Sequence, residues 1–436
     1  MTGTSIQTRA TAATLVVVAY FLAMSAASAD EYVYEVPWDL KAADILPADL
    51  LEGEHHSVDD SVRNDGYLNY YIIRSDYGEF EAASTAMLRT RIREIGALAE
   101  LEDLSKTEVF IKAAADAGVV APLRTIKQFA THPIKTVTGI PRGIGRMFTR
   151  YSRQAGDAVD STKDAIADDD DSEPGDEDDD SNAAVDLTES FFGVSSSERA
   201  WAAKLGTDPY SSNEALRAAI KDVAWAERLG RFGVGFAGIP EIPGVDIIGD
   251  VHEAVWSKDP YELQDLNRAR LKETGASEEL IEEYLESPWM SPSQQTLLTA
   301  TIAELNDVQG RGGILREALI ARTEAEAGFF IKSMILLAWY HLNEEPLESV
   351  LTNSVVPTGV TADGTVVLTL AVDHIYWTDD VAEAADNLAR LRPDRAEHPH
   401  EIWLLGTTSP RSREELSALG FIVHEDLAAT LAADAT

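Results

Sequence analysis

The chain reads as a multi-domain α+β protein, predominantly helical, with an N-terminal hairpin plus helices, a central helical domain and a small C-terminal β-α-β-α-β subdomain. Three observations predict this. Helical periodicity with capping signals fills the middle of the 436 residues, β-branched runs alternate with helical patterns near the C-terminus, and a block of acids divides the chain. A hydrophobic fraction of 45% is enough for more than one core, at about 150 residues per domain.

At the N-terminus Arg9 precedes residues 11–24, a block without a charge, and Ala27-Ser28-Ala29 stands before Asp30. The block is shorter than the roughly 20 apolar residues that span a bilayer, and small residues before the cut suit a signal peptidase. Residues 1–29 are therefore expected to be a signal peptide cleaved after Ala29. The mature protein is then periplasmic or secreted, without a mature transmembrane span.

Residues 30–164 read as an N-terminal α+β unit. Residues 67–73 (YLNYYII) and 79–83 are aromatic and β-branched and flank the turn cluster Ser75-Asp76-Tyr77-Gly78, so a hairpin is expected. Leu88, Ile92, Ile95 and Ala99 follow at helical spacing. Ser105 with Glu108 reads as a capping box before a run that ends at Gly118.

Between Asp116 and Asp157 no acid occurs, while Arg124, Lys127, Lys135, Arg142, Arg146, Arg150 and Arg153 do. In a chain with 75 acids and 36 bases this is the strongest local anomaly. At about 100° per residue the last four arginines share one side of a helix, and Ile144, Met147, Phe148 and Tyr151 share the other. Such a helix suits a headgroup boundary, so an anionic lipid surface or an envelope protein is the expected partner, met by that apolar face. The competing expectation is that the apolar side packs on the protein's own body and the arginines meet its own acids.

From Asp168 to Asp180 ten of thirteen residues are acidic. Residues 165–183 are expected to be a disordered linker, because such a segment buries too little apolar area to offset its ordering entropy. A protease acting there is expected to separate the N-terminal unit from a stable C-terminal fragment.

Residues 184–350 read as a helical domain. Ser195 with Glu198, Ser211 with Glu214 and Asp259 with Glu262 look like capping boxes. Asp208-Pro209-Tyr210 and Asp259-Pro260-Tyr261 share their letters, more as a common helix start than as a repeat. Residues 329–341 (FFIKSMILLAWYH) carry one charge, that of Lys332, and read as a core helix too short to span a bilayer.

Residues 351–427 alternate as strand 365–372, helix 378–391, strand 401–405, helix 410–419 and strand 421–423, which predicts a parallel unit; residues 428–436 read as a disordered tail. Ligands in such sheets bind at the carboxyl ends of strands. Those ends carry Asp373 and His374, and Gly406 to Ser409 before Arg411. Asp373, His374 and Ser409 are thus the candidate catalytic residues, and Arg142, Arg146, Arg150, Arg153 and Arg411 the candidate anion-binding ones.

Other motifs carry little. Gly233, Gly235 and Gly238 have the letters of a dinucleotide fingerprint, but Pro240 and the preceding helical pattern make them a connection. His55-His56 with Asp59-Asp60 reads as a solvated loop, and neither a metal nor a cofactor is expected. The absence of cysteine excludes disulfides, Cys-ligated metals and thiol nucleophiles. The net charge of −39 argues against general nucleic-acid binding. The leading expectation is a non-catalytic envelope protein that contacts a membrane surface or an envelope partner. The alternative is a periplasmic enzyme or small anionic-ligand binder that uses the strand ends.

Overall fold

The computed structural model describes residues 34–37, 39–116, 144–148, 150, 191–226, 247–352, 354–391 and 399–434. Its first sheet is built from β1 (Leu40–Lys41), β2 (His56–Val58), β3 (Ser61–Asn64), β4 (Asn69–Ser75) and β5 (Gly78–Ala83). β4 and β5 pair antiparallel from Tyr70–Ala83 to Ser75–Gly78, which is the hairpin that the turn cluster predicts. β2 and β3 pair with the other edge of β4. Two short helices, α1 (Ala42–Ile45) and α2 (Ala48–Leu51), precede it, and α3 (Thr85–Ser105) and α4 (Glu108–Asp116) follow.

Beyond the acidic stretch come α5 (Ser196–Leu205), α6 (Glu214–Val223), α7 (Ile247–Ser257), α8 (Pro260–Lys272), α9 (Glu278–Leu285), α10 (Pro292–Glu304), α11 (Ile314–Ala318) and α12 (Glu324–Asn343). Two expected capping boxes form, Ser195 with Glu198 on α5 and Asp259 with Glu262 on α8. Two others are replaced by nearer acceptors. Thr107 receives the Phe110 N–H at the start of α4, because α3 runs on through Ser105. Asn213 caps α6, because the Ser211 oxygen accepts the Asn213 N–H while its hydroxyl donates to Glu94. The two Asp-Pro-Tyr segments also part: Asp259 opens a helix, whereas Asp208 holds a turn, with Tyr210 buried and Tyr261 exposed.

The second sheet has the order β12 (Phe421–His424), β10 (His400–Leu404), β8 (Val366–Leu370), β7 (Thr358–Thr361), β6 (Leu347–Val350). β8, β10 and β12 run parallel, with α13 (Asp379–Ala389) and α14 (Pro410–Ala418) between them in sequence, as the alternation predicts. The antiparallel strands β6 and β7 extend it and were not read from the sequence. A small parallel ladder of β9 (His374–Ile375) and β11 (Thr407–Thr408) lies beyond the carboxyl ends. A last helix, α15 (Leu427–Asp434), occupies most of the expected tail.

α12 is apolar on every side and correspondingly buried from Phe329 to Tyr340, apart from Lys332. It is pinned to the sheet through Ser333, whose hydroxyl accepts the Ala371 N–H at 2.9 Å and whose carbonyl accepts the Thr369 hydroxyl at 2.8 Å. Among the described residues no helix is long and apolar enough to cross a membrane.

The chain is thus a mixed α+β protein with substantial helix, and its apolar residues form two cores. One joins α12 and its neighbouring helices to the second sheet and includes Tyr67, Leu68, Ile144, Met147 and Phe148. The other joins the first sheet and α3 to α5 and α6. By contacts the chain divides after Val36, and residues from Pro37 on form one compact unit. Both cores draw residues from either side of the acidic stretch, which itself lies outside the described residues. A cut there would therefore leave each piece with parts of the same two cores. After cleavage within residues 168–180 the two pieces should co-elute in size-exclusion chromatography and part only in denaturant; elution as separate species in native buffer would contradict the shared cores.

Candidate functional site

The carboxyl end of β8 is where the sequence places a ligand, and the chain itself fills it. The loop after β3 enters there: the Tyr67 carbonyl accepts the N–H groups of Asp373 and His374 at 3.0 and 3.2 Å, and the Gly66 carbonyl accepts that of Tyr376 at 3.1 Å. Asn64 donates to the His374 carbonyl at 3.2 Å. Gly406 passes so close that a Cβ would sit 2.0 Å from the Asp373 carbonyl oxygen, leaving room for no other residue.

Asp373 is the pivot of this contact. Its carboxylate accepts the Asn69 N–H at 2.9 Å and the Thr85 N–H at 3.0 Å, so it joins the first sheet and the start of α3 to the second sheet. Burial raises its pKa, while the two backbone bonds and the charge of Lys332 oppose the rise. The preceding residue Ser84 holds φ at 107°, a region that favours glycine and stores strain. Tyr71, Asn69 and Thr85 continue the polar wall, with Tyr71–Thr85 oxygens 2.8 Å apart and Asn69 donating to Tyr71 at 3.1 Å.

The other strand-end candidates have side-chain partners of their own. His374 bonds to the Thr407 hydroxyl at 2.7 Å and sets its ring against Tyr376. Ser409 caps α14 by accepting the Ser412 N–H at 3.0 Å. Arg411 pairs with Glu415 one turn along the same helix, at 2.9 Å. Arg411 thus pairs within α14, while Ser409 caps that helix and its N–H reaches the Ile375 carbonyl on β9 at 2.9 Å.

The described residues of the basic segment, 144–148 and 150, are likewise docked. Asp65 accepts the Ile144 N–H at 3.0 Å, the Tyr70 hydroxyl at 2.9 Å, and the N–H groups of Tyr67 and Leu68; burial raises its pKa against all four bonds. Ile144, Met147 and Phe148 are buried in the core, and Phe148 stacks on Tyr67 with centroids 5.1 Å apart. Arg150 pairs with Glu326. Arg146 is half-buried; Arg142, Tyr151 and Arg153 lie outside the described residues. The described part of the expected membrane face is a packing face, because the neighbouring core offers apolar residues the same burial that lipid would.

A polar seam that no motif marks runs between the two cores. Arg91 on α3 donates to Glu94 at 2.9 Å, to Ser212 at 2.6 Å and to Glu324 at 3.2 Å. Glu94 also receives Ser211 and Asn213, and Ser212 donates to Glu324 at 2.6 Å. Burial works against the Arg91 charge, but Glu94 and Glu324 outweigh it and raise its pKa. Asp208 receives Ser293 and the Tyr210 N–H nearby; burial pushes its carboxyl up to about 6, with Glu94 and Glu324 adding to the rise. Lys332 faces the same seam from α12, its pKa lowered by burial against the charges of Asp373 and Glu324. The one signal in the sequence was Lys332 itself, the single charge in an otherwise apolar run.

Compared with known proteins, the chain matches no family model, and no curated protein or solved structure shows detectable similarity to it.

Removing the Asp373 carboxylate strands two backbone donors. Asp373→Ala should therefore lower unfolding stability by roughly 2–4 kcal/mol in urea titrations, whereas Arg411→Ala should change it by no more than about 1 kcal/mol. Equal effects would contradict the pivot. The folded Asp208 holds its proton more tightly than the unfolded chain, so its contribution to stability is lost as pH rises from about 4 to about 6. Asp208→Asn should flatten the decline in melting temperature across that window, and an unchanged slope would sink this assignment.

Proposed function

We propose that the protein is exported and works in the cell envelope as a binding protein that meets its partner in water and not within lipid. Export rests on the charge-free block before Ala27-Ser28-Ala29. The observation that carries the choice of partner is the burial of Ile144, Met147 and Phe148 with Arg150 held by Glu326. A helix whose apolar side is already packed has little left to give a bilayer. An envelope protein is the partner this favours over an anionic lipid surface. Net charge supports the same preference, because a chain at −39 is repelled by anionic headgroups.

The alternative, a periplasmic enzyme or small anionic-ligand binder, keeps one observation in its favour: Asp373 and Lys332 face one seam beside the end of β8. Arg411 adds little to it, since its ion pair with Glu415 lies within α14.

Subcellular fractionation with N-terminal sequencing should find the mature chain beginning at Asp30 outside the cytoplasm, and recovery of Met1 from the soluble cytoplasm would overturn the export proposal. The mature protein should fail to co-sediment with vesicles rich in acidic lipid at low salt. Co-sedimentation that Arg146→Glu with Arg150→Glu abolishes would restore the lipid surface as partner.

A further inference from the structure

The seam has a gap in its middle. On α12, Glu324, Gly328 and Lys332 stand four residues apart and so share one face. Glycine is the poorest helix former after proline, yet Gly328 stands inside the helix, directly before Phe329, Phe330 and Ile331. A Cβ built on Gly328 meets no heavy atom within 4 Å. The space above it is open.

On this face of α12 polar residues stand one turn from Gly328 on either side. At one end Glu324 is held by Arg91 and Ser212. At the other stands Lys332, with Asp373 and Thr85 beyond it. Eight residues of helix set the ends about 12 Å apart, the length of a small organic molecule.

The charges at the two ends are not equivalent. Arg91 is saturated by Glu94 and Glu324. Asp373 already accepts two backbone N–H groups. Lys332 is half-buried and feels Asp373 and Glu324 through space, and among the described residues it donates no hydrogen bond. A partly desolvated ammonium without a bonded acceptor is an incomplete pair. Water or an anion must complete it.

We propose that the space over Gly328 is a binding groove for a small organic anion of one negative charge, whose carboxylate pairs with Lys332 and whose body lies along α12 toward Ser212. A single charge is favoured because Asp373, the nearer acid, would repel a second one. A monocarboxylate therefore fits, and inorganic phosphate does not. Neither export nor the envelope partner enters this argument.

Isothermal titration of the full mature chain with acetate, butyrate, hexanoate and inorganic phosphate tests it. Hexanoate should bind more tightly than acetate because its chain covers the glycine floor, and phosphate should bind at least about tenfold more weakly than hexanoate. Lys332→Gln should weaken hexanoate by at least about tenfold. Gly328→Leu fills the space without touching a charge, and should abolish binding while leaving the circular dichroism spectrum and cooperative melting intact. Unchanged affinity in a folded Gly328→Leu protein, phosphate binding as tightly as hexanoate, or no carboxylate binding in the wild type would each overturn the proposal.

Discussion

The buried carboxylate of Asp373 is the contact on which the rest of the arrangement depends. It ends the strand β8, accepts N–H groups from Asn69 and Thr85, and so ties residues some three hundred positions apart into one junction. A carboxylate in such a place costs desolvation energy, which the raised pKa records. The two backbone donors need it all the same, because an N–H buried without an acceptor is penalised by about 1–3 kcal/mol. The strained backbone at Ser84 points the same way: the turn into α3 is held where Asp373 can cap it. Nearby, Asp65 does for the basic segment what Asp373 does for α3.

This junction explains why the carboxyl ends of the parallel strands hold no open crevice of the usual kind. The chain has put its own loop, residues 64–69, into that position. The proposed groove lies to the side, in the polar seam between the two cores. There the acids of a strongly acidic chain are gathered on Arg91 in bonded pairs, while Lys332 faces acids it does not bond. Sites between lobes are common places for small ligands, because two packing surfaces meet there without merging.

Elements governed by local pattern were legible in the sequence. The β4–β5 hairpin, the alternation from β8 to β12 and the all-round apolar α12 follow from periodicity and turn chemistry, and all stand near their expected bounds. Capping was legible where no tertiary partner competed, at Ser195 and Asp259, and failed at Ser211, whose hydroxyl Glu94 takes from a helix more than a hundred residues away. The amphipathic pattern around Arg150 was real, but amphipathicity does not say whether lipid or protein covers the apolar side. Asp373 was flagged by the strand-end rule for the wrong reason. Arg91 and Glu94 stand three apart on α3, but their meeting with Glu324 and Ser212 is made by tertiary contacts that leave no spacing in the sequence.

Amide hydrogen exchange reads whether Asp373 makes the two cores one cooperative body. The account predicts that the Asn69 and Thr85 amides exchange only through global unfolding, with the same free energy as amides in the middle of β8 and β10, such as Leu368 and Ile402. Exchange of Asn69 and Thr85 by a local opening, at a free energy well below that of the second sheet, would contradict it.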